Sequence, residues 1–227
     1  MKILALDTAT EGCSVSLGIG GQQIDRYLEL ERGHAEQLLP MIDAVLAEGG
    51  VGLSALDAIA FGRGPGGFTG VRLAASVAQG LAFGAGIGVV PISDLAAVAQ
   101  QVCQRDPSVR RVLVVNDARM REVYWAPFEC SDSVVPSAVE RVSAAVEVKL
   151  PAGADAGAWA AAGRGLKAWP ELAGRCRAAG ATLYPDLLPR ASEILALARP
   201  AVAGGRILDP AEALPVYVRD NVAVSSL

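Results

Sequence analysis

Glycine is concentrated in one stretch, residues 62–72, which reads Gly-Arg-Gly-Pro-Gly-Gly-Phe-Thr-Gly-Val-Arg. It lies between an apolar run that predicts a buried strand and a segment that predicts a helix. Glycine allows positive φ and exposes backbone N–H groups, and such groups at a helix start bind anions. A plain strand-to-helix turn explains the same glycines, and the stretch is not a Walker A loop, because no Gly-Lys-Ser/Thr follows. Both readings stay open for the candidate site residues Gly64, Gly66, Gly67, Thr69, Gly70 and Arg72.

Two aspartates each follow a predicted strand, Asp7 near the amino terminus and Asp117 near the middle of the chain. If they faced each other across a cleft, one could hold magnesium through water while the other acted as a base. Gly66, Gly67 and Thr69 would then contact phosphate. This arrangement is the basis of one functional hypothesis, a self-sufficient nucleotide-dependent phosphotransferase.

Metal and thiol chemistry find little support in the sequence. His34 is the single histidine, so no histidine pair exists to hold a metal, and a structural or capping role near the first helix is favoured. Cys13, Cys103, Cys130 and Cys176 are far apart and form no C-x-x-C motif. We expect buried, reduced thiols rather than zinc ligands or disulfides, and we expect no metal site.

The composition describes a globular chain of 227 residues, with 52% hydrophobic residues and a mean hydropathy of +0.36. No apolar run approaches the roughly 20 residues of a membrane span, and no targeting segment is recognised, so we expect a cytoplasmic protein. The net charge of −4 argues against a freestanding RNA-binding protein, because phosphate contacts need a concentrated basic face.

The elements that position these residues begin with three predicted antiparallel strands, followed by alternating helices and strands. The first helix spans about residues 35–48 and the second includes residues 73–84, and both have apolar arcs wider than one sheet contact requires. Either their own domain covers these arcs, or one edge packs against a second molecule. The candidate interface residues are Leu38, Met41, Ile42, Val45, Leu73, Val77, Ala78, Leu81 and Ala82.

A boundary between two halves is predicted at the polar segment near residue 106, which gives subdomains 1–105 and 106–227. The strand pair around Asp117 repeats the opening pattern, which suggests internal duplication. Residues 134–154 are ambiguous, 159–165 could be a strand entering a glycine turn, and 209–218 predict a docked extended tail. This order of elements resembles the ribonuclease-H-like half of the actin, sugar kinase and Hsp70 superfamily. The expected fold class is therefore α/β, with two ribonuclease-H-like (actin-like ATPase) subdomains whose mixed sheets are flanked by helices.

Four segments of the chain together resemble the TsaB (YeaZ) family. They are the glycine-rich stretch, the amino-terminal segment 3–10, the central Asp-Ala-Arg-Met and the terminal Pro-Val-Tyr-Val-Arg. One departure is Gly67, where the family pattern has Ser. The wider superfamily of actin, sugar kinases and Hsp70 holds nucleotide phosphate on its first turn. Here Ala9 and Glu11 add a side chain and a negative charge to that turn, so we expect it to be degraded as a phosphate loop.

The resemblance implies a non-catalytic subunit that binds and activates a TsaD-type transferase, which forms threonylcarbamoyladenosine next to the anticodon of tRNA. It also implies a TsaE-type ATPase as a further partner, no cofactor of the chain's own, ATP or ADP at the joint interface, and only indirect contact with tRNA. Self-association through the two helices is a further expectation. The competing hypothesis is a self-sufficient enzyme, either the nucleotide-dependent phosphotransferase or the peptidase that resemblance to the wider superfamily implies. A plain structural domain is the third hypothesis.

Overall fold

A computed structural model describes residues 1–131, 134–151 and 159–219 of the chain. The first sheet follows the expected antiparallel opening and then adds two parallel strands. Its strands are β1 (Lys2–Asp7), β2 (Gly12–Ile19), β3 (Gln22–Glu29), β4 (Ala58–Gly62) and β5 (Gly88–Ile92). Their spatial order across the sheet is β3-β2-β1-β4-β5. Because β1, β4 and β5 are parallel, their carboxyl ends meet at one edge, where Asp7 and the glycine-rich stretch lie.

The second sheet repeats this topology. Its strands are β6 (Arg111–Asp117), β7 (Glu122–Cys130), β8 (Val134–Pro136), β9 (Arg141–Ala144), β10 (Trp159–Ala162) and β11 (Thr182–Tyr184). The spatial order is β11-β10-β6-β7-β8, with β9 also paired to β7. An antiparallel pair followed by parallel strands occurs in both sheets, which supports the predicted duplication. The fold class is confirmed.

Helices cover both sheets. They are α1 (His34–Gly49), α2 (Phe68–Ala85), α3 (Asp94–Arg105), α4 (Gly165–Ala168), α5 (Pro170–Ala178) and α6 (Ala191–Ala203). The helix α2 begins five residues earlier than the sequence pattern suggested. Both α1 and α2 bury apolar side chains against one face of the first sheet, in a cluster that includes Leu6, Leu17 and Phe61. None of the helices in the described ranges is long and apolar enough to cross a membrane.

Packing crosses the expected boundary between the halves. The helix α3 contributes Leu95 and Val98 to a cluster with strands of the second sheet. The helix α6, near the end of the chain, packs Ile194 and Leu195 onto the first sheet. A cut after residue 105 would separate each helix from the sheet that it covers, so the chain positions of the two subdomains stay a prediction.

The carboxyl-terminal tail is docked over the first half, as expected. Leu208 pairs with Val89 on the edge strand, a short 3₁₀ turn forms at Pro210–Glu212, and Ala213 is buried in the core beside α2. The Val216 N–H then donates to the Arg63 carbonyl at 2.7 Å. The tail therefore runs along the outside of the glycine-rich stretch.

The expectation of four reduced thiols is wrong. Cys103, near the end of α3, and Cys130, at the end of β7, form a disulfide with their Cα atoms 5.8 Å apart. The 27-residue separation in sequence hid this pairing, because it arises only when α3 packs across the second sheet. Cys13 and Cys176 are free and buried, as expected.

Candidate functional site

A cleft of about 810 Å³ lies between the two halves, at the carboxyl ends of their central strands. The turns after β1, β4 and β6 all reach it, which brings the glycine-rich stretch close to Asp117. Its lining is formed by residues 8–11, 30–36, 65–67, 69, 70, 73, 116–119, 124, 164, 167, 168 and 188. The cleft is within the size range of small-molecule pockets.

The glycine-rich stretch is held by contacts with the protein. Gly67 N–H donates to the Ala9 carbonyl at 2.7 Å, and Gly64 N–H donates to the Asp94 carboxylate. The Arg63 side chain forms an ion pair with Glu140 at 3.2 Å. These two glycine N–H groups are therefore used within the chain, which favours the plain strand-to-helix turn at Gly64 and Gly67.

The glycines of the stretch have different roles. A Cβ on Gly66 would lie 2.4 Å from the Ala9 carbonyl oxygen, and one on Gly70 would lie 1.9 Å from the Thr8 carbonyl oxygen. Gly64 has a φ of 101°. Gly67 has ordinary extended φ and ψ at the start of α2 and room for a Cβ. Close approach of two backbones thus requires glycine at 66 and 70, and left-handed φ favours it at 64.

Asp7 is completely buried and does not line the cleft. It lies against Asp94, at the first turn of α3, and its Oδ1 accepts the Ala9 N–H at 3.0 Å. Burial raises the pKa of Asp7 to about 6, and burial together with the Asp7 charge raises the pKa of Asp94 well above its usual value. Two carboxylates this close in a dry site are stable when they share a proton. The pair links the first turn to the glycine-rich stretch.

Asp117 lies at the cleft, where its carboxylate pairs with Arg119 at 3.2 Å. Arg119 also reaches Glu11 in the other half at 2.9 Å, and Arg164 reaches Glu29 at 2.6 Å. The cleft is therefore bridged by ion pairs. Because Arg119 is 75% exposed, its ion pairs are weak in water and contribute little to stability.

The hairpin tip between β6 and β7 has an unusual backbone. Arg119, Met120 and Arg121 all have positive φ, a conformation that is strained for side-chain-bearing residues. Arg219, from the docked tail, donates to the Ala118 carbonyl at 3.3 Å and pairs with Glu122. The tail thereby stabilises the tip that carries Asp117.

His34 donates from Nε2 to the Thr10 carbonyl at 2.9 Å. This contact fixes the start of α1 to the turn after β1, which fits the structural role favoured from the sequence. The residue that caps α1 is Gly33 rather than His34.

At the amino end of α2, Thr69 and Arg72 are exposed. The Arg72 guanidinium stacks on the Phe68 ring, 3.3 Å from its centroid, and approaches the Tyr217 ring at 5.1 Å. Thr69 lines the cleft, whereas Arg72 lies in an exposed aromatic cluster beside it.

The structure divides the candidate interface residues into two groups. Buried in the core of their own half are Leu38, Met41, Ile42, Val45, Ala78 and Ala82. These six side chains are covered by the first sheet and are therefore not accessible to a partner, which corrects that part of the prediction. Leu73, Val77 and Leu81 pack at the margin of this core cluster and are only partly buried, so part of each side chain is accessible to a partner.

Several residues at or beside the cleft were not found from the sequence. Asp94 follows β5 with no motif around it, and Asn116 and Tyr124 stand within strands among apolar residues. Their proximity depends on strand register, because Asn116 and Tyr124 are paired across β6 and β7. The sequence signal that could have found these residues is the presence of polar side chains at the ends of predicted strands.

Two linked sheets of ribonuclease-H-like topology, with a cleft at the ends of their central strands, define the class of actin-like ATPase folds. The (R)-2-hydroxyglutaryl-CoA dehydratase component A of Acidaminococcus fermentans has a similar fold at a TM-score of 0.52 and 9% identity, over 91% of this chain and 99% of that one. YeaZ from Pseudomonas aeruginosa matches with a TM-score of 0.84 and 41% identity, over 95% of this chain and 99% of that one.

Sequence relatives agree with this structural likeness. The tRNA threonylcarbamoyladenosine biosynthesis protein TsaB of Escherichia coli K12 is 38% identical over 100% of this chain and 98% of its own length. The protein of the same name from Haemophilus influenzae is 50% identical over 56% of this chain and 53% of its length. The family model TsaD, tRNA N6-adenosine threonylcarbamoyltransferase, matches residues 28–180. The chain belongs to the TsaB family.

Proposed function

We propose that the chain takes part in forming threonylcarbamoyladenosine in tRNA, as a non-catalytic subunit that binds and activates a TsaD-type transferase. Support comes from the family of its relatives, which carry this biosynthesis in their names. The match to the TsaD family model is consistent with a partner that has a related fold. Two related folds present similar helices, which can pack against each other as quasi-equivalent surfaces.

The observation that carries the proposal is the outer face of α2. Leu73, Val77 and Leu81 are partly exposed there, and Phe83 at the end of the helix is 81% exposed. The neighbouring helix α1 adds Leu39, which is 49% exposed. An apolar face of this kind is typical of a surface that a second protein covers.

Small residues on this face favour a helix as the occupant. Gly80 and Gly84 lie on the outside of α2, and a Cβ at either position would meet no atom of the chain. Glycine inside a helix lowers stability by about 1 kcal/mol relative to alanine, and nothing within the described residues requires it here. Close approach of a partner helix gives a reason for both glycines.

The same face offers a route to self-association when the transferase is absent, which we include in the proposal. A TsaE-type ATPase is proposed to join the pair, with ATP or ADP held at the joint interface rather than by this chain alone. Contact with tRNA is then made through the transferase.

The self-sufficient enzyme is disfavoured by the position of Asp7. That hypothesis needs Asp7 and Asp117 to face each other across the cleft, but Asp7 is buried against Asp94. Ala9 and Glu11 line the cleft, on the turn where the wider superfamily holds a nucleotide phosphate.

The experiment is a titration of a purified TsaD-type subunit with variants of this chain. In Gly80→Arg a long charged side chain stands in open space on the proposed interface, so the variant should fold and bind at least about 100-fold more weakly. Gly174→Arg is the matched control, because Gly174 lies in α5 with equally open space. The control should bind normally. Normal binding by the folded Gly80→Arg protein would overturn the proposed surface.

A further inference from the structure

The tip of the hairpin between β6 and β7 carries an exposed methionine. Met120 is 80% exposed, whereas Met41 is 7% exposed and its Sδ lies 3.8 Å from the Cys13 Sγ in a core cluster. Met1 is exposed to a lesser extent than Met120. An oxidant in solution must touch the sulfur atom to react with it, so exposure decides which thioether is oxidised first. Among the three methionines of the chain, Met120 is the most accessible.

The sulfur of Met120 also has a specific neighbour. Arg219, in the carboxyl-terminal tail, donates from Nη1 to the Met120 Sδ at 3.1 Å. The Nη2 of the same guanidinium donates to the Ala118 carbonyl at 3.3 Å and pairs with the Glu122 carboxylate. Met120 is thus part of the contact through which the tail holds the tip.

Both sides of this contact are fixed in position. The turn is closed by backbone hydrogen bonds from the Ala118 N–H to the Glu122 carbonyl at 3.0 Å and from the Glu122 N–H to the Arg119 carbonyl at 2.9 Å. The Arg219 side chain is 18% exposed, and its bonds to the tip orient the guanidinium. An acceptor added to the Met120 sulfur would therefore meet a donor that is already in place, at little cost in conformational entropy.

Oxidation changes this sulfur from a poor acceptor to a good one. A thioether sulfur accepts hydrogen bonds weakly, whereas a sulfoxide has a polar S=O group whose oxygen accepts them. A hydrogen bond from a guanidinium to such an oxygen is charge-assisted and stronger than one between neutral groups. Because the Met120 side chain lies in solvent, the added oxygen disrupts no apolar core.

We propose that Met120 is a site of reversible oxidation by peroxide, and that its sulfoxide tightens the contact between the tail and the tip that carries Asp117. A lone pair of the Met120 sulfur attacks one oxygen of hydrogen peroxide, the S=O bond forms, the O–O bond breaks and water leaves. The sulfur loses two electrons and the peroxide gains them. The sulfoxide oxygen then accepts a hydrogen bond from the Arg219 Nη1.

The reverse step uses a dithiol, as in methionine sulfoxide reductases. The dithiol supplies two electrons and two protons, the sulfoxide oxygen leaves as water, and a disulfide forms on the reductant. The exposure of Met120 leaves it accessible to such an enzyme. The inference is independent of the proposed partner function, because the groups that form the contact lie within this chain.

The first test follows the oxidation of the purified full chain by hydrogen peroxide. Peptide mass spectrometry gives the oxidised fraction of each methionine over time. Met120 should be oxidised at least about tenfold faster than Met41, which is the internal control for a buried thioether. Equal rates at the two positions would overturn the proposed site.

The second test measures what the added oxygen does. The thermal midpoint of unfolding should rise by about 1 to 3 °C after oxidation. Arg219→Ala removes the donor, so its midpoint should not rise on oxidation. Met120→Leu should show no rise either, and it controls for oxidation at Met1. An unchanged or lower midpoint in the oxidised chain, or the same rise in Arg219→Ala, would overturn the proposed hydrogen bond.

A further variant mimics the oxidised state without an oxidant. In Met120→Gln an amide oxygen stands near the position of the sulfoxide oxygen, so this variant should have a higher thermal midpoint than Met120→Leu. The comparison needs neither peroxide nor a change at Arg219, so it decides the question even if Arg219→Ala does not fold. A midpoint no higher in Met120→Gln than in Met120→Leu would contradict the proposal.

Discussion

Single glycines in the stretch 62–72 differ in what they do. The number of glycines in the sequence predicted close backbone approach or positive φ, and both occur, but at different positions. The close approaches involve Ala9 and Thr8, which are some 60 residues away in sequence. Which glycine meets which neighbour depends on the packing of two loops, and no local pattern carries that information.

Substitutions in this stretch should separate its glycines. Gly70→Val must displace the Thr8 carbonyl, so we expect a loss of at least about 2 kcal/mol in the free energy of unfolding. Gly67→Ser should be neutral or stabilising by a few tenths of a kcal/mol, because a serine at the helix N-cap accepts a backbone N–H. Urea unfolding measures both. A severe defect from Gly67→Ser would show that the conformation of this turn is different.

The buried pair of Asp7 and Asp94 should make stability depend on pH. The pKa of Asp7 is raised to about 6 in the folded chain, above its value in the unfolded chain, so the folded state binds a proton more tightly. The stabilising contribution is complete below about pH 4 and is lost as the pH rises through about 6.

We therefore expect the unfolding free energy to fall between pH 4 and pH 7 by on the order of 1 to 3 kcal/mol. Asp94→Asn should flatten this dependence, because it removes one of the two carboxyl groups whose pKa is raised, while burial still raises the pKa of Asp7. Urea unfolding at a series of pH values measures the effect. An identical slope in Asp94→Asn would contradict the shared proton.

At the scale of elements, the helices α1 and α2 were predicted with their apolar arcs, but the direction of each arc was not. A broad arc is compatible with either edge facing the sheet, and only the packing of Leu17 and Phe61 beneath the helices decides it. The strands of the first half were predicted closely. The second half was predicted less well, since β8 and β9 are short and lack clear alternation.

The two edges of α2 should respond differently to charge. Ala82 is completely buried, so Ala82→Arg should unfold the chain or destabilise it by several kcal/mol, about 3 or more. Leu73 is on the outer edge, so Leu73→Arg should remain folded but fail to associate with a TsaD-type subunit. Circular dichroism and size-exclusion chromatography with the partner measure the two effects.

The variant Leu73→Arg should also fail to restore threonylcarbamoyladenosine in cells that lack the native gene, as judged by mass spectrometry of digested tRNA. If both variants unfold, α2 belongs wholly to its own core. If both fold, associate and restore the modification, the partner surface lies elsewhere.

At the scale of the whole molecule, the repeated strand order could be predicted from the sequence, because a strand, an aspartate-containing turn and a second strand recur in both halves. The exchange of α3 and α6 between the cores was not, since helix amphipathicity does not say which sheet a helix covers. The disulfide between Cys103 and Cys130 follows from that exchange. The cleft is likewise a product of assembly, formed where two similar sheets meet.

The central claim is that this chain activates a transferase without performing the chemistry itself. The most direct measurement is the formation of threonylcarbamoyladenosine in unmodified tRNA, with threonylcarbamoyl adenylate as the donor. Three samples are compared: the chain alone, a TsaD-type subunit alone, and both together with a TsaE-type ATPase and ATP. We expect no product from the chain alone and product from the mixture, with a strong loss when Gly80→Arg replaces the unaltered chain and no loss with Gly174→Arg. Product from the chain alone would contradict the claim, and so would a mixture that is no more active with the chain than without it.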